Sequence, residues 1–327
     1  MPESIAPTPE KDRLLFMDAL RGFALLGVLL ANMVSHSGYF FLNSTQKLAI
    51  PTYKLDHAVE GMHHFLIDGK FYSLFSLLFG MGFALQMNRR EDKLFKPFFK
   101  RRLFFLFLIG LLHAVLFYVG DILTVYAITG TALLAFRHSK NLLRYFVLFQ
   151  LLPVLLYCIF YFTLSLPSPP DQAFIDQIID SLRNGNTLER IQTNLGGLIF
   201  DRYPDLLFTG RFFKVLAMFL LGTYVMQVKI SALPLNKIFF ISLCLGVPLN
   251  IALAYLMDLD VYYSLQPLGM VQALVYAVGV PALAIAYATG FYQLYQNGVS
   301  FTRLFIPVGR MALTNYLLQS IFCYLIF

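Results

Sequence analysis

The sequence predicts an all-α fold, a polytopic transmembrane helical bundle of about nine spans. Composition is the first observation behind this expectation. Of 327 residues, 58% are hydrophobic and only 13% charged, with a mean hydropathy of +0.67, whereas a soluble domain carries roughly 25% charged residues. That balance excludes a disordered chain, a disulfide-stapled secreted module and an ordinary cytosolic enzyme. The second observation is run length: roughly 20 apolar residues cross the hydrocarbon core, and runs of that kind recur along the whole chain. Only helices and closed barrels satisfy their backbone in lipid, and long unbroken apolar runs exclude a barrel. The third is the placing of charge. Lys+Arg 25 against Asp+Glu 18 gives +7, and the excess lies between the runs, where it reports topology. No basic stripe interleaved with aromatics points to nucleic acid.

The first run, residues 14–34, contains Asp18 and Arg21 and no small-x-small cleavage site, so it reads as a span and not as a cleaved signal. Runs 71–87, 103–119 and 122–136 follow, the last two joined by the turn Gly120-Asp121. Run 142–164 is interrupted at Pro153. Runs 213–228, 238–257, 268–287 and 304–327 complete the set. The loop 88–102 carries Arg89, Arg90, Lys93, Lys96, Lys100, Arg101 and Arg102 against Glu91 and Asp92, which places it in the cytoplasm. Counting outward puts the N-terminus, with Lys11 and Arg13, inside, together with Lys229 and Lys237; the Asp258–Asp260 turn falls outside.

Residues 1–327 thus read as one integral-membrane helical domain, with 165–212 as an outer-face loop. Pro167, Pro169 and Pro170 open that loop. Phe174, Ile175, Ile178, Ile179 and Leu182 then keep helical spacing, as do Leu188, Ile191, Leu195 and Ile199. Two short amphipathic helices are expected there, as a structural lid or as a cap that touches substrate. Cys158, Cys244 and Cys323 lie far apart inside apolar runs and read as small core residues.

Polar groups within apolar runs are costly and therefore candidates for function. At about 100° per residue, Asp18, Arg21, Asn32 and His36 share a sector about 60° wide along the first helix. Two readings stand: an interfacial ion pair with interhelical glue, or the wall of a wet path. His113 and Asp121 are spaced as a general base and its orienting carboxylate, but a straight helix would separate them by about 12 Å, so contact requires a bend. His57, His63, His64, Glu60, Asp68 and Lys70 cluster before the second run. They lack the H-E-x-x-H order of a zinc helix, so no metal is expected and a solvated outer loop is. In the last run Asn315 and Gln319 share a helical face, and Arg310 sits near its start.

Four stretches carry a resemblance: residues 15–32, with Asp18, Arg21 and Asn32; residues 69–82; His113 with Gly120, Asp121, Leu123 and Tyr126; and residues 309–319. In this order they resemble the YeiB-like bacterial inner-membrane proteins, a family of unknown function (number 418). The family is in turn similar, more distantly, to the transmembrane acyltransferase group. In the sugar O-acyltransferases of that group an arginine in the first span is followed eleven residues on by a functional histidine. Here Asn32 takes that place and His36 lies one turn later, so the resemblance turns attention to His113 as base. Relatives run on beyond the position of Phe327 into further apolar helix and a tryptophan-bearing tail.

The resemblance implies a multi-pass inner-membrane acyltransferase with a cytoplasmic N-terminus and no bound cofactor. Acyl-CoA is the candidate donor, and an envelope glycan or lipid hydroxyl the candidate acceptor. His113 and Asp121 would do the chemistry. Asp18, Arg21, Asn32, His36, Lys70, Arg310, Asn315 and Gln319 would bind donor or acceptor. A transporter or flippase, and a non-catalytic scaffold or sensor, remain open beside it, as does the oligomeric state. The lipid bilayer is the expected partner.

Overall fold

The computed structural model describes residues 14–39, 42–163 and 172–327. Lys11, Arg13 and the prolines at 167–170 fall outside them. The elements are α1 (Leu15–His36), α2 (Ser44–Leu48), α3 (Tyr53–Leu66), α4 (Lys70–Asn88), α5 (Asp92–Leu116), α6 (Leu123–Leu133), α7 (Leu142–Thr163), α8 (Gln172–Asn184), α9 (Thr187–Gly197), α10 (Tyr203–Phe208), α11 (Arg211–Val228), α12 (Leu235–Asp258), α13 (Pro267–Gln296), α14 (Ser300–Arg303), α15 (Ile306–Arg310) and α16 (Ala312–Ile326). Among the described residues there is no strand.

Five helices, α1, α7, α11, α12 and α13, are long and apolar enough to cross a membrane. The other four expected runs take different forms. In α4 the apolar run is diluted by Lys70, Ser73, Ser76 and Gln86. The basic segment 88–102, expected as a loop, is helical from Asp92 onward and continues without a break into the apolar half of α5. Its apolar part, from Leu103 to Leu116, spans only about 21 Å at 1.5 Å per residue. Residues Leu123–Phe136 and Ala312–Ile326 are shorter apolar helices. The last run is broken, because Met311 leaves helical geometry (φ −107°, ψ 33°) between α15 and α16.

Packing centres on α1, α4 and α11. A Cβ on Gly80 would collide with the backbone oxygen of Phe219, and one on Gly222 with that of Leu77, so α4 and α11 cross backbone to backbone. Next to that crossing Phe79 stacks on Phe219 (ring centroids 4.4 Å apart), and Phe83 meets the edges of Phe95 and Phe99. At the other end of the sequence Gly309 of α15 lies on the backbone oxygen of Asp18 in α1. Such close approach of small residues lets the helix backbones meet directly. Asn250 adds to it by donating from Nδ2 to the oxygens of Gly246 and Gly279, both at 2.7 Å, which ties α12 to α13.

The segment before α4 is not the solvated loop expected of it. Tyr287, well along α13, donates to the backbone oxygen of Leu66 at 3.0 Å. Gly69 takes a left-handed conformation (φ 76°) in a space too close to Tyr276 for a Cβ. The ring of Phe71 fills the gap beside Gly27, at the middle of α1. The turn from α3 into α4 therefore dips into the bundle, and Lys70 is wholly buried there, its ammonium donating to the backbone oxygen of His64.

Candidate active site

The site forms where α1 ends, α5 ends and α6 begins. Helix α5 stops at Leu116; Phe117 departs from helical geometry and the chain doubles back before α6 starts. This is the bend that the spacing of His113 and Asp121 demanded. It brings His113 Nδ1 within 2.9 Å of Asp121 Oδ1, with side-chain exposures of 2% and 0%. An ionised carboxylate accepts from Nδ1–H, which fixes the tautomer and leaves Nε2 as the basic nitrogen. Nε2 of His113 is buried and, among the described residues, makes no hydrogen bond.

Asp121 is held on every side. Its Oδ2 accepts from the backbone N–H of Thr124 at 2.7 Å, satisfying one of the free donors in the first turn of α6. The hydroxyl of Tyr316, on α16, lies 3.5 Å from Oδ1 and accepts from the N–H of Ile122 at 3.2 Å. Arg202 donates from Nη2 to the backbone oxygens of Gly120 (3.3 Å) and Asp121 (3.0 Å). Arg202 ends a five-residue π-helical stretch, Leu198–Arg202, a local widening of the helix often found at functional positions.

Around the pair stand further polar groups. Tyr118 lies between α1 and the dyad: its ring is 4.3 Å from that of His36, and its hydroxyl donates to Asn32 Oδ1 at 3.5 Å. His36 is within electrostatic range of His113. Tyr72 lies within range of Asp121, Arg202, Arg211 and Asp205, and among the described residues its buried hydroxyl has no hydrogen-bond partner. Below it, Ser76 Oγ and Tyr126 OH share a hydrogen bond of 2.8 Å.

The structure thus brings Asn32, His36, His113 and Asp121 to one end of the bundle. Gln319 is near the middle of α1, donating to the oxygen of Leu25 at 3.3 Å. Asp18 and Arg21 do not join them. They pair with each other at 2.9 Å, and Asn32 lies about 21 Å further along the helix than Asp18. Arg21 faces Gly82 and is within electrostatic range of Arg102. Arg310 is exposed at the Asp18 end, and Asn315 donates back to the oxygen of Val308 at 2.8 Å, bridging the break before α16. Lys70 belongs to the buried α3–α4 turn. The single polar stripe of α1 therefore serves two separate places.

Sequence reading missed Arg202, Arg211, Tyr72, Tyr118 and Tyr316. For the arginines a signal existed: Arg202, Asp205 and Arg211 are closely spaced charges at the apolar end of the long loop. Tyr72 and Tyr316 lie inside two of the stretches that carry the resemblance, 69–82 and 309–319, which was a signal; for Tyr118 there was none, since 19 tyrosines are scattered along the chain. The cluster His57, Glu60 and His64 lines, with Gly61, Ala254, Tyr255 and Asp258, a separate cavity of about 180 Å³ between α3 and α12. Among the described residues no three His, Cys, Asp or Glu side chains are arranged to hold a metal ion.

An all-helical chain with several helices able to span a bilayer, closed around a buried histidine–carboxylate pair, defines the class. Residues 229–327 match the family model "Protein of unknown function (DUF418)". The chain is 29% identical to "Uncharacterized protein YxaH" of Bacillus subtilis (strain 168), over 99% of this chain and 84% of that protein. It is also 29% identical to "Uncharacterized protein YeiB" of Escherichia coli (strain K12), over 97% of this chain and 84% of that protein. A protein of Bacillus acidopullulyticus, "Uncharacterized 39.9 kDa protein in amylase 3'region", is similar at the same identity over 96% of this chain and 79% of its own length. No solved structure matches. These matches together support a YeiB-like DUF418 family for this chain.

Proposed function

We propose that the chain is an integral-membrane acyltransferase that moves an acyl group from a cytosolic acyl-CoA-type donor to a sugar or lipid hydroxyl of the envelope. The observation that carries this reading is the buried His113–Asp121 pair with Nε2 unpartnered among the described residues. In this reading the chain spans the inner membrane as many as nine times, with its N-terminus and the basic residues of 88–102 on the cytoplasmic side. The dyad then lies toward the outer side and the Asp18–Arg21 pair toward the cytoplasm.

The acceptor hydroxyl gives its proton to His113 Nε2 as its oxygen bonds to the thioester carbonyl carbon. Asp121 stabilises the imidazolium that forms. Collapse of the tetrahedral intermediate breaks the C–S bond, and the thiolate takes the proton back, so ester and free thiol are the products. Arg21, near Arg102, supplies positive charge for donor phosphates. Purified protein incubated with labelled acyl-CoA and envelope glycolipid should form acylated product, and His113→Ala should abolish it while the protein stays folded. Full retained activity in that variant would remove His113 as base.

The separation of the two polar places along α1 also favours a second reading, a transporter in which both line one path. Movement of solute into liposomes without consumption of acyl-CoA would support it over transfer.

A further inference from the structure

Three cations follow one another from the end of the π-helical stretch to the first turn of α11: Arg202, which reaches the turn carrying Asp121, then Arg211 and Lys214. Arg211 pairs with Asp205 at 3.3 Å, and the other oxygen of Asp205 accepts from Tyr263 OH at 3.2 Å. Arg202 spends Nη2 on two backbone oxygens, and among the described residues its buried Nε has no partner. Lys214 sits over the ring of Tyr276, 3.9 Å from its centroid. Among the described residues neither Arg202 nor Lys214 is in ion-pair contact with a carboxylate. Asp205 and Asp68 are the acids within electrostatic range of Lys214, and Arg211 opposes them. The cations are also set against the local helix field: Arg211 and Lys214 occupy the first turn of α11, which contains no acid, where the helix dipole favours negative charge and penalises positive. Part-buried positive charges in such a place are costly unless an anion offsets them. A hydrogen-bond donor suited to that anion is present, because the hydroxyl of Tyr72 lies within range of Arg202 and Arg211 and is buried without a partner among the described residues.

We infer that Arg202, Arg211 and Lys214, with the hydroxyl of Tyr72, bind the phosphate group of an anionic ligand next to His113 and Asp121. This deepens the transfer reading by making the acceptor a phosphate-bearing molecule, and it rests on that reading for the ligand's role alone. Guanidinium groups suit the phosphate oxygens as paired donors, and Lys214 adds a point charge. The same chemistry comes from a lipid headgroup or from a free phosphate.

The test is ligand-dependent thermal stability of the full chain in neutral detergent at matched ionic strength. The probes are inorganic phosphate, phosphatidylglycerol and, as zwitterionic control, phosphatidylcholine. A ligand that binds only the folded state raises the melting temperature with concentration. Stabilisation by phosphate points to a free phosphate, and stabilisation by phosphatidylglycerol alone points to a lipid headgroup. Lys214→Met should weaken the apparent affinity at least tenfold, Tyr72→Phe should weaken it several-fold, and Lys214→Arg should keep it. Absence of any anion effect, or equal titrations for the native chain and both weakening variants, would overturn the inference. His113→Ala separates the two proposals: it should keep anion binding while losing transfer, so either proposal can fail alone.

Discussion

Arg202 donates to the backbone oxygen of Asp121 at 3.0 Å, so the segment between α9 and α10 grips the turn that carries the dyad's carboxylate. Asn194 of α9 does the same for α5, donating to the oxygen of Val115 at 3.0 Å. The long loop is therefore fastened to the site at two points. Replacing Arg202 with Gln removes hydrogen bonds from a charged donor, each worth about 1.5–3 kcal/mol. Amide hydrogen exchange of residues 117–124 should speed up in that variant. Unchanged exchange there would show that the grip holds nothing in place.

Asp121 has two tasks that different substitutions separate. Asp121→Ala leaves the Thr124 N–H without its acceptor, a loss of about 1–3 kcal/mol, and the melting temperature in detergent should fall. Asp121→Asn keeps one acceptor oxygen for Thr124 but no longer fixes the His113 tautomer. It should melt close to the native protein and lose transfer activity by about 10²–10⁴-fold, the usual contribution of acid–base catalysis. Equal activity of the Asn variant and the native chain would refute the orienting role.

The glycines divide sharply. Gly80→Ala and Gly222→Ala each drive a methyl into a facing backbone oxygen, where overpacking costs about 1–3 kcal/mol. Gly61, inside α3, faces open space, with no atom within 4 Å of the place a methyl would take, and Ala there should stabilise by up to about 1 kcal/mol through helix propensity. Melting curves of the Gly61 variant and of the other two should move in opposite directions; a common direction would mean that the α4–α11 crossing is looser than described.

One ion pair outside the apolar segments predicts a pH effect. Arg137 donates to both carboxylate oxygens of Asp92, at 2.9 and 3.3 Å, and this hydrogen bonding holds the Asp92 carboxyl below its ordinary range. A depressed carboxyl contributes stability above its unfolded pKa of about 3.9, which is lost as pH falls through the lower folded value. The native chain should therefore melt above Asp92→Asn at neutral pH, with the gap closing below about pH 4. A gap that is constant with pH would exclude the pair as its source.

Much of the architecture could be read from run length and the spacing of apolar residues, but two kinds of feature could not. Hydropathy treated residues 71–87 and 103–119 as ordinary spans. It could not register that Lys70 is buried in a dipping turn or that the basic residues after Asp92 are already helical. The dyad was legible as a pair of residue types at a given spacing, whereas its contact depends on the chain doubling back after Leu116, a tertiary event. Asp18 and Asn32 share a face of α1, and that much the periodicity shows. It says nothing of which helices cover the two ends of that face, and those covers differ: α15 lies at Asp18, while Tyr118 lies at Asn32.

The contact of Gly309 with the backbone oxygen of Asp18, and of Gly22 with Phe305, joins α1 to a segment far removed from it along the chain. During synthesis the start of α1, with its charged pair, must wait for residues 305–309 before this neighbour emerges. Closure of such remote pairs is slow. Packing of α1 should therefore wait for residues 305–309, and ribosome-bound chains halted before residue 305 should stay open to protease at α1.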